Sequence, residues 1–183
     1  VSGGGLRSAA FVMNALQQAY SISGGKLMNS TFMISGASGG MLAASYYREI
    51  YRRHLRDTTI PLYSNSYTDN ISLDLLNPIF SSMISRDVFA PAQKFQVGNY
   101  SYIRDRGYAF EQKLLRNTKG ILDLRMADLA EDEFQARIPL IFYNSVVKSD
   151  GRKLVISTLP VSYMMKPSYF NRDTAYSPDA IDF

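Results

Sequence analysis

Gly36-Ala37-Ser38-Gly39-Gly40 sets one serine between glycines at the spacing of a nucleophile turn. Where Gly-x-Ser-x-Gly joins a strand to a helix, the turn holds the serine hydroxyl clear of the backbone. Phe32-Met33-Ile34-Ser35 reads as the buried strand before it, and an alanine-rich helical pattern follows. Gly36 and Gly40 lack a Cβ where strand and helix crowd together. Ser38 then stands near a helix N-terminus, whose free N–H groups and dipole favour negative charge. That is a place to form an oxyanion during acyl transfer.

A second stretch, Ser2-Gly3-Gly4-Gly5-Leu6-Arg7, can supply the donors. Three successive glycines expose backbone N–H groups with no side chain in the way, an arrangement that cradles an anion. Phe11, Val12, Ala15, Leu16 and Ala19 recur at helical spacing, so the loop feeds a helix over Leu6 to Tyr20. In combination, Ser38 attacks an acyl carbon and the amides of Gly3, Gly4 and Gly5 stabilise the oxyanion. Donors fixed before the charge develops are each worth about 10²–10³ in rate.

The hydroxyl also needs a base. His54 is the only histidine. It lies about four turns down the helix that begins at the elbow, roughly 20 Å from Ser38, so it is expected to point away. A Ser-Asp dyad is the remaining option. Nucleotide readings fit less well. The Walker pattern lacks its closing Gly-Lys-Ser/Thr, Gly24-Gly25-Lys26 is followed by Leu27, and a dinucleotide loop would need glycine where Ser8 stands.

The glycine loop, the helix after it and the elbow some thirty residues on resemble a patatin-like phospholipase. Ser before the glycines and Arg7 two residues after them are similar to the cytosolic phospholipase branch. Ser8 departs from the glycine that more commonly closes the first motif, which favours that branch over the plant patatins. The resemblance implies an α/β fold with a central sheet flanked by helices, a Ser-Asp dyad without histidine, and hydrolysis of lipid and phospholipid acyl esters. It implies Ser38 as nucleophile, Gly3, Gly4 and Gly5 as oxyanion-loop residues, and Arg7 as a cation steadying the oxyanion region or a substrate phosphate. It implies no cofactor and no metal. The family's aspartate sits in an Asp-Gly-Gly or Asp-Gly-Ala turn. Asp150-Gly151 is the only Asp-Gly here and is followed by Arg152 at an apparent hairpin tip, where a type I′ turn explains it. Asp173, Asp179 and Asp182 lie nearer the expected region but lack the glycine.

The remaining elements must position these loops. A helix over Gly39 to Arg56 turns Ala43, Tyr46, Tyr47, Ile50 and Tyr51 to one face. Arg48, Arg52 and Arg56, with Arg53, make another face, read either as a solvated helix end or as a contact for phosphate head groups. Asp57 to Asp69 reads as polar turns, Ile71 to Ser85 as a helix delayed or bent at Pro78, and Phe89 to Tyr102 as an irregular excursion. Tyr108 to Leu115 is helical, and Leu122 to Glu133 is a short helix or loop. From Ile138 the period changes to that of strands, with a hairpin turn at Ser149-Asp150-Gly151-Arg152 and a return strand to Ser157. Tyr163 to Tyr176 is the candidate interfacial or capping surface.

The 183 residues suit a single domain, 46% hydrophobic and 20% charged. The absence of cysteine excludes disulfides, thiolate metal sites and a cysteine nucleophile. A net charge of +4 is too small to argue nucleic-acid binding. The chain opens on Val1 with no room for a strand before the glycines, so it reads as the N-terminal part of a phospholipase domain cut from a longer protein. On that reading the dyad aspartate lies beyond Phe183, the piece alone is inactive, and an unfinished sheet leads it to self-associate. Partners expected are a lipid or phospholipid substrate and a peripheral membrane contact. The alternatives are a lipid- or protein-binding domain that keeps the fold without the chemistry, and a nucleotide-binding α/β domain.

Overall fold

The computed structural model describes residues 1, 3–89, 93–161 and 180–182. Ser2, Asp173, Asp179 and the surface expected at Tyr163 to Tyr176 lie outside the described residues. The architecture is mixed α/β. Helix α1 spans Gly5–Ile22, strand β1 Met33–Gly36 and helix α2 Ser38–Arg56, so the loop–helix–strand–elbow–helix order is as expected. α1 stops where Gly24 and Gly25 adopt positive φ and their amides bond back to Ser21 O (3.1 Å) and Tyr20 O (2.9 Å). α2 is buried on every side from Gly39 to Tyr51. Its glycines, alanines, tyrosines and Ile50 form the centre of a core shared with Met13, Ile34, Ile71 and Ile141, while its buried Arg48 and Glu49 are held by ion pairs.

β4 (Leu140–Val146) runs parallel to β1 with Gly36 beside Tyr143, and β5 (Lys153–Ile156) returns antiparallel to β4. β6 (Ala180–Asp182) lies parallel to β5, giving the order β1-β4-β5-β6. On the other side of β1, Val1 donates from its nitrogen to Ser35 O (2.8 Å) and accepts from Ala37 N (3.2 Å), a parallel ladder contact just before the glycine loop.

The middle of the chain differs from expectation. α3 (Asn65–Ser72) begins inside the stretch read as turns, because the Ser64 hydroxyl accepts from Ser66 N and starts a helix. The single helix expected over Ile71 to Ser85 is two: Asp74 accepts from Leu76 N and Asn77 N, opening α4 (Leu76–Ser82), which widens into a π-turn over Met83–Val88. Pro78 sits in the first turn of α4, where its missing N–H is harmless. The excursion at Phe89 to Tyr102 contains a hairpin, β2 (Lys94–Val97) and β3 (Tyr100–Ile103), turned at Gly98. Helix α5 (Arg106–Asn117) follows, capped by Asp105, and a 3₁₀ turn leads into α6 (Ala130–Phe134). The β4–β5 connection is a four-residue loop closed by Val147 N to Arg152 O (2.8 Å) and Gly151 N to Val147 O (2.9 Å), not the two-residue type I′ turn expected.

Candidate active site

Ser38 has φ 56, a left-handed backbone in which a serine is strained. The strain follows from its place: the chain leaves β1 at Gly36, and α2 begins at Ser38 itself. The side chain is exposed. The glycine loop lies against it. A Cβ on Gly3 would overlap Ser38 Cβ and stand 3.0 Å from Ser38 Oγ. A Cβ on Gly39 would overlap the Gly5 carbonyl, and one on Gly36 would overlap Val1 O. Gly40 is buried in the first turn of α2. Gly4 and Gly5 both have positive φ, 148 and 64, so the bend into α1 needs glycine. The structure therefore brings together Gly3, Gly4, Gly5, Gly36, Ser38 and Gly39.

Two helix N-termini converge here. None of the Gly4, Gly5 or Gly39 amides donates to another described residue, as expected for the first turns of α1 and α2. Arg7 stands in the first turn of α1, exposed and without an ion pair or hydrogen bond among the described residues. A cation at that end opposes the helix dipole. An anion beside it would relieve the conflict.

An open pocket of about 590 Å³ spreads from Ser38 and Arg7 over Leu6, Met41, Leu75 and Phe110 to Tyr143 and Asn144. It lies at the carboxyl ends of the parallel strands β1 and β4, where open α/β sheets place their ligands. Its lining is mostly apolar, with Arg7, Ser38, Tyr143 and Asn144 as the polar side chains. Tyr143 and Asn144 were not singled out from the sequence. The Tyr143 hydroxyl shares a 2.9 Å hydrogen bond with Ser45 Oγ. Asn144 Nδ2 donates to Ser35 Oγ (2.9 Å) and Gly36 O (3.1 Å), pinning the strand just before the elbow. A signal existed, since Asn144 interrupts the apolar run of β4 near its carboxyl end.

Among the described residues, the pocket lining holds no carboxylate and no imidazole. His54 is tied to Ile60 O through Nδ1 (2.7 Å), away from the pocket, as its position on α2 led us to expect. Asp150 sits at the β4–β5 loop and accepts from Arg152 N (3.0 Å) and Nε (2.7 Å), bonds that hold its carboxyl below the usual range. Asp182 pairs at the level of Val155 on β6, three strands from β1, or about 14 Å at the usual strand spacing.

The arginines of α2 require a correction. Arg48 and Arg52 lie inside the protein, only Arg56 at the end of the helix is largely solvated, and all four are ion-paired rather than free for phosphate. Arg48 is buried against Glu133, which also receives the Thr158 hydroxyl, and Arg48 Nη1 donates to Pro139 O (2.9 Å). Arg52 bonds Asp132 through Nε (2.6 Å), and Arg53 bonds Glu49 (3.0 Å). Arg56 reaches Asp132 at 3.0 Å. The acids that take Arg48, Arg52 and Arg56 arrive from α6, some 80 residues away in the chain, whereas Arg53 is taken by Glu49 on α2 itself.

No protein-family model matches the chain, and neither a curated protein nor a solved structure matches it.

Proposed function

We propose that the chain carries the nucleophile and oxyanion loop of a serine hydrolase acting on lipid acyl esters, with a patatin-like arrangement. The observation that carries the reading is the packing of Gly3 on Ser38, with Ser38 in a strained turn at the head of an apolar pocket. Ser38 Oγ would attack the ester carbonyl and pass its proton to an aspartate outside the described residues. The carbonyl oxygen, now negative, would lie against the amides at the start of α1 and α2. Collapse expels the alcohol, which takes a proton, and water then releases the acyl group from Ser38. The apolar walls suit an acyl chain, and Arg7 suits an anionic group beside the ester.

In the full-length protein, an organophosphonate lipid should label Ser38, and Ser38→Ala should lose the label and the ester hydrolysis. Equal labelling of Ser38→Ala ends the proposal. A second reading is a lipid-binding domain without chemistry; it accords with a pocket lined, among the described residues, by apolar side chains and no carboxylate. It predicts lipid binding without labelling or turnover.

A further inference from the structure

We infer that the outward face of α4 and its π-turn is a docking surface for an anionic phospholipid bilayer. This rests on the preceding reading and names where Ser38 would meet its ester. The segment is amphipathic in the inverted sense. Towards α5 it turns Pro78, Ser81, Ser82 and Ser85, across a groove of about 410 Å³. Ser82 Oγ is buried there without a hydrogen-bond partner among the described residues. Outwards it shows Leu76, Phe80, Ile84 and Val88, with 52%, 54%, 57% and 66% of their surface exposed. Met83 and Phe89 are exposed beside them. A helix facing water on this side would place serines out and leucine and phenylalanine in. The row therefore faces something apolar.

Two features say what. First, the row runs into the site. Leu76 is at once exposed and part of the pocket wall, next to buried Leu75. Second, the surroundings are basic and aromatic. From 76 to 116 six Lys or Arg stand against three Asp or Glu, most of the chain's net charge of +4. Lys94 and Arg104 are exposed on and beside the β2–β3 hairpin, with Tyr100 and Tyr102. The hairpin packs through Phe95 on Tyr108, which also lines the α4–α5 groove, so an apolar row and exposed cations and tyrosines belong to one part of the molecule, a combination that matches the acyl boundary and head-group layer of an anionic bilayer. No described helix is long and apolar enough to cross a membrane.

The test is co-sedimentation of the full-length protein with vesicles of phosphatidylcholine alone or with phosphatidylserine. The expected result is tighter partitioning to the anionic vesicles, weakened by salt. Phe80→Ser/Ile84→Ser should lower partitioning at least tenfold, and Lys94→Glu should reduce the preference for phosphatidylserine. Hydrolysis of a soluble short-chain ester should be unchanged in both variants. Equal partitioning of variant and parent overturns the inference. So does a parent dimer that Phe80→Ser/Ile84→Ser dissociates, or a loss of melting temperature with unchanged partitioning, which would mean that another copy or another part of the chain covers the face. Vesicle binding without any ester hydrolysis would leave the docking surface standing and remove the hydrolase reading.

Discussion

At the scale of residues, the site depends on atoms that are missing. Alanine at position 39 would gain about 1 kcal/mol of helix propensity over glycine, yet its Cβ would overlap the Gly5 carbonyl. Gly39→Ala should therefore lower the rate of organophosphonate labelling at Ser38 about 100-fold in the full-length protein, the effect of losing one placed donor. Unchanged labelling would show that the loop need not touch α2. Tyr47 tests the opposite sign. Its ring is buried against Tyr20, its hydroxyl has no partner among the described residues, and burial pushes its ionisation up. Tyr47→Phe removes an unsatisfied buried group, so it should stabilise the fold by about 1 kcal/mol. Thermal melting should rise by about 3 °C, and a fall would mean that the hydroxyl does find a partner. The elbow and loop were legible because glycine spacing is dictated by the local backbone. Asn144 was not, because the atoms it holds lie 108 residues away at Gly36.

At the scale of elements, α6 is stapled to α2 by charge. Arg52 is the main cause of a lowered Asp132 ionisation, through a direct hydrogen bond, with Arg137 adding a second. A carboxyl held below its unfolded value contributes stability that is complete above about pH 4, and it is lost as pH falls through Asp132's own lower value. Asp132→Asn should lower urea stability at pH 7 and flatten the acid limb of a stability–pH curve below pH 4. A variant whose curve keeps the parent's shape would remove Asp132 from the staple. The arginine spacing on α2 was visible in sequence, but its meaning was not. Four-residue spacing tells which cations share a face, and the partner of that face is chosen by tertiary packing.

At the scale of the whole molecule, two regions differ in how they are held. α1, α2, β1 and β4 share one core, whereas α4 and the π-turn face α5 across an open groove and the β2–β3 hairpin rests on α5 through Phe95 and Tyr108. Backbone amides from Leu76 to Phe89 and from Gln93 to Ile103 should exchange with deuterium much faster than those from Met41 to Tyr51, since little buried apolar surface protects them. Equal protection would mean that the groove is filled in solution. The change of period at Ile138 was enough to place β4 and β5. The hairpin escaped because its two strands are only four residues long, too short for an alternation to stand out, whereas α4 lies inside the helix expected over Ile71 to Ser85 and only the break at Leu73–Leu75 was missed.

The ladder contact of Val1 with Ser35 and Ala37 has a kinetic meaning. The triglycine segment departs from the same β-edge that ends in the elbow, so on the proposed chemistry the oxyanion donors and the Ser38 hydroxyl would share one footing. Acylation by a small, soluble reagent should then proceed as one exponential from the first instant, with no lag for assembly. Any slow phase seen with long-chain lipids would report delivery of the substrate into the crevice.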